Sequence, residues 1–201
     1  HNYADRNTTT ARNNDYEERE NIICYAGGLF ARRGLKSVID AMNDVDGVFE
    51  FAGNLGEAMR KDYETGLGWH KCKYLGILDW DGINALYARS RVGIINNWDV
   101  PYYRNSNPNK LFEYMAVGLP IVCTSIPAWA KIVEDAKCGI VVDAKNAKQI
   151  AEAVTYLLEH PKEAKEMGDN GRRAFEKTYN WDADKEKLFQ IYEEIGRQEQ
   201  N

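Results

Sequence analysis

The chain has 201 residues, of which 44% are hydrophobic, and its formal net charge is −5. This length suits one domain with a full core, and the acidic balance argues against a broad nucleic-acid-binding surface. No apolar run approaches the roughly twenty residues that a membrane-spanning helix needs, and the polar first residues do not resemble a signal peptide. The four cysteines, Cys24, Cys72, Cys123 and Cys138, show neither paired nor metal-ligand spacing, which indicates reduced thiols in a cytoplasmic protein.

Short apolar runs alternate with amphipathic segments over most of the chain. Residues 1–20 lack this periodicity, so we interpret them as a tail, a linker or a remnant of cloning, and residues 21–201 as one domain. Strands are predicted at 22–26, 48–52, 72–75, 92–96, 120–124 and 139–142. Helices are predicted at 35–43, 57–65, 82–89, 108–117, 128–135, 147–159, 162–179 and 182–197. This order predicts an α/β fold, a Rossmann-like doubly wound parallel six-stranded sheet with helices on both faces, whose ligands bind beyond the carboxyl ends of the strands.

The loop after the first predicted strand, AGGLFARRG, combines glycines with basic residues. Gly27 and Gly28 permit close backbone approach, and Arg32 and Arg33 supply cations beside a helix start. The loop lacks the GxGxxG spacing of dinucleotide sites, so a dinucleotide is not favoured. The residues alone leave two alternatives open, an anion-binding loop and an ordinary tight turn with solvated arginines.

The most informative stretch reads NSNPNKLFEYMAVGLPIVCT. Asn107 is predicted to cap a helix whose first residue is Pro108, and Gly118 is predicted to end it. A helix N-terminus with free amide groups attracts phosphate. Lys110 and Glu113 lie three residues apart and leave the helix on one face, either as a solvated pair or as part of a binding site.

Within this stretch, NKLFEYMAVGLPIV closely resembles the signature helix of the glycosyl transferases group 1 family, which comprises retaining nucleotide-sugar glycosyltransferases of the GT-B fold. The resemblance spans about residues 21–195. It implies that the chain is the C-terminal, donor-binding half of such an enzyme, without its N-terminal acceptor-binding half, and that it is inactive alone. The implied reaction transfers a sugar from a nucleoside-diphosphate sugar to an acceptor hydroxyl with retention of the anomeric configuration, and the implied process is polysaccharide biosynthesis.

The resemblance also implies the partners of the chain and the residues of its site. The nucleotide sugar is a substrate, no cofactor or metal is expected, and a membrane contact would involve only the absent half. Glu113 stands where the family binds the ribose hydroxyls, Arg33 where it has a diphosphate-binding lysine, and Gly28 where it has a second basic residue. The implied donor-binding residues are Gly27, Gly28, Arg33, Gly76, Ile77, Asn109, Lys110, Leu111 and Glu113.

Asn105 falls at the position of the first of the two family glutamates, and we assign it the catalytic position. An amide can hydrogen-bond a sugar hydroxyl, but it carries no negative charge. Two other functions therefore stay open. One is the related half of a nucleotide-sugar epimerase, and the other is a noncatalytic module that binds sugar nucleotides, as the departures at Gly28 and Asn105 suggest.

Overall fold

The computed structural model describes residues 16–106 and 108–179. In these residues six strands form one sheet, namely β1 (Glu20–Ala26), β2 (Val48–Ala52), β3 (Cys72–Tyr74), β4 (Ser90–Ile95), β5 (Ile121–Thr124) and β6 (Gly139–Val142). Each neighbouring pair is parallel, and the spatial order is β3-β2-β1-β4-β5-β6. The predicted Rossmann-like sheet is therefore confirmed.

Eight helices connect or follow the strands in the described residues. They are α1 (Leu35–Ala41), α2 (Glu57–Glu64), α3 (Trp80–Arg89), α4 (Pro101–Arg104), α5 (Asn109–Ala116), α6 (Pro127–Ala136), α7 (Ala147–Glu159) and α8 (Pro161–Lys177). Proline occupies the first turn of α4, α6 and α8, where its missing N–H has no intrahelical acceptor to lose. The predicted helix at 182–197 lies outside the described residues.

Both faces of the sheet are buried, which explains why the strands are mostly apolar and do not alternate between apolar and polar residues. Ile23 and Tyr25 of β1 point into a core that α1, α2 and α7 cover. Ile22 and Cys24 point into the opposite core, which α3, α5 and α6 cover. The predicted helices on both faces are therefore present.

The fold includes residues before the expected boundary at residue 21. A 3₁₀ turn at Tyr16–Glu18 precedes β1, which begins at Glu20. Tyr16 is buried, and its hydroxyl donates to the carbonyl of Arg91, 3.1 Å away. This contact spans 75 positions in sequence, so local periodicity gave no sign of it.

The start of α5 differs from the prediction. Asn109 is the first helical residue, and Pro108 is the N-cap, with φ −76° and ψ 125°. Proline's fixed φ fits both a helix and an extended segment, so the sequence did not distinguish the two positions. Asn107 lies outside the described residues. The predicted end is confirmed, because Gly118 has φ 66° and the amide of Leu119 donates to the carbonyl of Tyr114.

The cysteines are all free thiols, and Cys24, Cys123 and Cys138 are buried. Burial raises the pKa of Cys24 to about 12, so its thiol stays protonated at neutral pH. In the described part of the chain, none of the helices has the length and apolar character needed to cross a membrane.

Candidate functional site

The carboxyl ends of β1 and β4 lie side by side at the centre of the sheet. From β1 the chain runs through α1 to β2 on one side, and from β4 it runs through α4 and α5 to β5 on the other. Loops that leave adjacent strands in opposite directions open a crevice, and ligands bind there in open α/β sheets. The candidate site is therefore built from the loops after β1 and β4, with those after β2 and β3 beside them.

Three glycines hold the neighbouring loops close together. The amide of Gly27 donates to the carbonyl of Ala52 at 2.9 Å, and the amide of Gly53 donates to that of Gly76 at 2.8 Å. Gly27 and Gly53 have φ of 150° and 147°, and a Cβ on Gly53 would collide with the carbonyl of Gly27. The structure thus brings Gly27 and Gly76 into one backbone framework. Gly53, directly after β2, also has a backbone role in this framework.

The second glycine of the first loop lies under an aromatic ring. A Cβ on Gly28 would come within 2.6 Å of the ring of Phe30, whose side chain is 62% exposed. The hydroxyl of Tyr25 donates to the carbonyl of Gly28 at 3.0 Å and fixes the turn from below. A larger side chain at this position would have to displace the ring.

Arg33 ends a 3₁₀ turn, Ala31–Arg33, that follows this loop. Its guanidinium lies 5.4 Å from the centre of the Tyr103 ring, and its buried Nε has no hydrogen-bond partner in the described residues. Arg32 is exposed, and its carbonyl accepts from the amide of Trp98 at 2.9 Å. That bond joins the loop after β1 to the loop after β4, on the two sides of the crevice.

Lys110 reaches back from the first turn of α5 to the glycine loop. Its ammonium nitrogen lies 5.0 Å from the centre of the Tyr25 ring and occupies the space where a Cβ on Gly27 would lie. The pKa of Lys110 is lowered to about 8, chiefly by burial. The negative charge of Glu113 partly offsets this effect, and the positive charge of Arg33 adds to it. The ammonium group of Lys110 thus lies at the glycine turn, over Gly27 and the Tyr25 ring.

Glu113 is held from another helix. The hydroxyl of Tyr87 on α3 donates to its Oε2 at 2.9 Å. The ring of Tyr87 packs edge-on against Tyr114, with the ring centres 5.1 Å apart, and the hydroxyl of Tyr114 donates to the carbonyl of Cys24 on β1. The carboxylate of Glu113 thus has a fixed oxygen and a half-buried position. This contact joins residues 26 positions apart, so no local pattern in the sequence indicated it.

The other sequence-predicted residues have different surroundings. Leu111 is fully buried, and its amide donates to the carbonyl of Pro108 at 3.0 Å. Ile77 is 77% exposed in the loop after β3. Asn109 is exposed at the start of α5, and Asn105 is exposed at the end of α4.

Two asparagines directly after β4 were not assigned to the site from the sequence. Asn96 donates through Nδ2 to the carbonyls of Gly34 and Ala144, at 2.8 and 2.9 Å. Asn97 is 1% exposed, and both its side-chain nitrogen and oxygen lack partners in the described residues. The available signal was the abrupt change from an apolar strand to two consecutive amides at a carboxyl end.

No group of three or more His, Cys, Asp or Glu side chains in residues 16–106 and 108–179 is placed to hold a metal ion. The polar groups of the crevice described above are the cations of Arg33 and Lys110, the carboxylate of Glu113, the side-chain amides of Asn96 and Asn97, and backbone amides.

The sheet order and the glycine loops place the protein in the class of Rossmann-like α/β domains. The chain belongs to the glycosyl transferases group 1 family, whose model matches residues 7–174. It is 29% identical over 153 residues to spore coat protein SA of Bacillus subtilis, covering 75% of this chain and 37% of that protein. It is 26% identical to an alpha-D-kanosaminyltransferase of Streptomyces kanamyceticus, covering 94% of this chain and 50% of the relative.

Solved structures of glycosyltransferases share the fold. HepE of Anabaena, in complex with UDP, superposes with a TM-score of 0.81 at 14% identity, covering 96% of this chain and 56% of that one. A sucrose-phosphate synthase of Thermosynechococcus elongatus gives a TM-score of 0.77 at 20% identity, covering 96% and 51%. The chain therefore spans about half the length of these proteins, and the Rossmann-like fold matches that of GT-B glycosyltransferases.

Proposed function

We propose that the chain is the donor-binding half of a retaining glycosyltransferase that moves a sugar from a nucleoside-diphosphate sugar to an acceptor hydroxyl. The observation that supports it most is the pair of cations, Arg33 and Lys110, beside the glycine turn at the centre of the carboxyl edge. Anions bind favourably where backbone amides and basic side chains meet. A diphosphate is an anionic group that fits such a crevice. Membership of the family implies that this diphosphate belongs to a nucleotide-sugar donor.

The proposed chemistry is electrostatic. When the bond between the sugar and the diphosphate breaks, negative charge develops on the leaving oxygen, and cations fixed beforehand stabilise that charge without reorganising. Arg33 and Lys110 carry this role, so the proposal involves no metal ion. Glu113, whose orientation Tyr87 fixes, accepts hydrogen bonds from the ribose hydroxyls.

The acceptor is proposed to bind in an N-terminal half that lies outside this chain, and we propose a cytoplasmic location for the whole enzyme. The HepE structure is a complex with UDP, but the base and sugar used by this chain are left to experiment. We expect the 201-residue chain to bind a nucleoside diphosphate and to transfer no sugar. Sugar transfer by the purified chain alone would contradict the proposal that the acceptor binds in an N-terminal half outside this chain.

The first experiment is a thermal-shift screen with UDP, GDP, ADP and their sugar derivatives. A ligand that binds only the folded chain stabilises it by about 2.7 kcal/mol at a concentration of 100 Kd, so one of these nucleotides should raise the melting temperature by several degrees. The corresponding nucleosides serve as controls, because they lack the diphosphate. If none of the nucleotides shifts the melting temperature and titration calorimetry detects no binding, the proposal fails.

One observation favours a second function, a noncatalytic module that binds sugar nucleotides. Asn105 supplies no charge where the family has its first glutamate, and it is exposed. The full-length protein separates the two functions. Release of nucleoside diphosphate in the presence of acceptor would support the transferase, whereas tight binding of the intact sugar nucleotide without turnover would support the module.

A further inference from the structure

We propose that Arg19, at the amino edge of the sheet, is a positioning residue for the pair that Tyr87 and Glu113 form at the opposite edge. The inference rests on the proposed function, because it concerns the carboxylate assigned there to the ribose. The guanidinium of Arg19 joins the carboxyl ends of α3 and α5, the two helices that carry this pair. It thereby sets the spacing of the two helices and the orientation of the Glu113 carboxylate.

The first support is the fixed position of Arg19. It directly precedes β1 and is buried. Its amide donates to the carbonyl of Tyr16 at 3.2 Å, and its guanidinium lies 5.4 Å from the centre of the Tyr16 ring. Tyr16 is in turn held by the bond from its hydroxyl to the carbonyl of Arg91. The guanidinium is therefore anchored in the core at the amino end of β1.

The second support is that one guanidinium binds the ends of two helices. Its Nη1 donates to the carbonyl of Ser90, the C-cap of α3, and its Nη2 donates to the carbonyl of Val117, the C-cap of α5, at 3.4 Å each. The last carbonyls of a helix lack intrahelical donors, and a cation there complements the negative end of the helix dipole. Arginine makes both contacts because its donors form a rigid planar fork, which lysine lacks.

The third support is the short path from these carbonyls to the crevice. The amide of Ser90 donates to the carbonyl of Tyr87, and the amide of Val117 donates to the carbonyl of Glu113 at 3.2 Å. The side chains of Tyr87 and Glu113 meet in their own bond of 2.9 Å. Arg19 thus closes a loop of hydrogen bonds that runs through the last turn of each helix. A change in the spacing of the helix ends is transmitted to the Glu113 carboxylate.

A purely structural role is the competing explanation. Arg19 would then only fix the turn before β1, and its replacement would lower the melting temperature without changing how the site distinguishes nucleotides. The positioning role predicts that replacement displaces Glu113 from the ribose hydroxyls. The preference for a ribonucleotide over its 2′-deoxy analogue therefore separates the two explanations.

The test is calorimetric titration of wild type, Arg19→Lys and Arg19→Met. The ligands are the tightest-binding of UDP, GDP and ADP and its 2′-deoxy analogue. Lysine keeps the charge and the apolar stem but cannot bridge both carbonyls, and methionine removes the charge as well. We expect each substitution to reduce the preference for the ribonucleotide by about threefold or more. The melting temperature shows which variants fold, and if Arg19→Met does not fold, the result for Arg19→Lys decides.

Arg91→Met is the matched control. The guanidinium of Arg91 donates to Oδ1 of Asn21 and to the carbonyl of Glu17, so it holds the same turn and neither helix end. We expect this variant to keep the wild-type preference for the ribonucleotide, whatever its melting temperature.

A double-mutant cycle gives a second readout that a structural role would not change. In the Glu113→Gln background, Arg19→Lys should reduce the preference for the ribonucleotide no further, because the contact that Arg19 positions is already lost. Residues that act through a shared contact give such non-additive effects, whereas independent residues give additive ones.

Each outcome decides the inference. A folded Arg19→Lys or Arg19→Met that keeps the wild-type preference overturns the positioning role and leaves the proposed function intact. A reduction that Arg91→Met shares, or that recurs in the Glu113→Gln background, overturns it too. If wild type binds none of the three nucleotides, the proposed function fails and this inference fails with it. If wild type binds the ribonucleotide and its 2′-deoxy analogue equally, the ribose role of Glu113 fails, and so does this inference.

Discussion

Replacement of Glu113 by glutamine separates a nucleotide-binding carboxylate from a structural one. One oxygen, Oε2, already accepts from the Tyr87 hydroxyl at 2.9 Å, and the carboxylate is half-buried at the crevice. If the ribose hydroxyls donate to it, the substitution turns charge-assisted hydrogen bonds into neutral ones and loses one acceptor. Hydrogen bonds to charged groups contribute about 1.5 to 3 kcal/mol, so affinity should fall by about tenfold to a hundredfold.

Tyr87→Phe tests the same contact from its other side. The ring still packs against Tyr114, so the core is kept, but Glu113 loses the donor that fixes it. A neutral hydrogen bond contributes about 0.5 to 1.5 kcal/mol, so the loss of affinity should be roughly twofold to tenfold, less than for Glu113→Gln. Glu134→Gln, on the exposed surface of α6, is the matched control and should bind as wild type does.

The assay is calorimetric titration with a nucleoside diphosphate and its 2′-deoxy analogue. Wild type should prefer the ribonucleotide, and Glu113→Gln should lose most of that preference while it unfolds at nearly the wild-type temperature. If mutant and wild type discriminate equally between the two nucleotides, Glu113 does not contact the ribose and its role is confined to the helix.

Three further substitutions have distinct expected results. Arg33→Ala should weaken diphosphate binding by about 1.5 to 3 kcal/mol while the exposed Arg32→Ala binds nearly normally, and the reverse order in calorimetry would transfer the role to the neighbour. Gly53→Ala should lower the free energy of unfolding measured with urea by about 1 to 3 kcal/mol, because Gly53 has φ 147° and the new Cβ would meet the carbonyl of Gly27. Gly56→Ala should lower it by less, because a Cβ there has open space around it. Asn97→Leu replaces an unpaired buried amide with an apolar side chain of similar shape and should raise the free energy of unfolding by about 1 to 3 kcal/mol, so an unchanged or lower value would show that the amide is paired.

The sheet was predictable because it depends on local pattern. Each strand except β3 has four to seven residues and is mostly apolar, and the boundaries differ from the predicted ones by two residues or fewer. The four-residue helix α4 was missed, because it is shorter than the window over which helical periodicity can be recognised. The start of α5 was also misplaced by one residue, because the fixed φ of Pro108 fits both the N-cap and the first helical position.

The site was less predictable because its geometry depends on contacts between distant segments. The resemblance indicated Lys110 and Glu113, but no sequence pattern indicated that Lys110 reaches Gly27 or that Tyr87, 26 positions away, hydrogen-bonds Glu113. Leu111 was assigned to the site by its position in a motif, and the sequence did not indicate that its side chain is fully buried and that its amide donates to the carbonyl of Pro108. Such roles depend on which distant residues pack together, and this cannot be read from local sequence patterns.

A crystal structure of the chain with the nucleoside diphosphate that stabilises it most would locate the ligand. The diphosphate should lie between the glycine turn and α5, within hydrogen-bond distance of Arg33 and Lys110, with the ribose on Glu113. A nucleotide bound away from the carboxyl ends of β1 and β4, or a crevice that stays empty at saturating concentration, would contradict a donor site at this edge of the sheet.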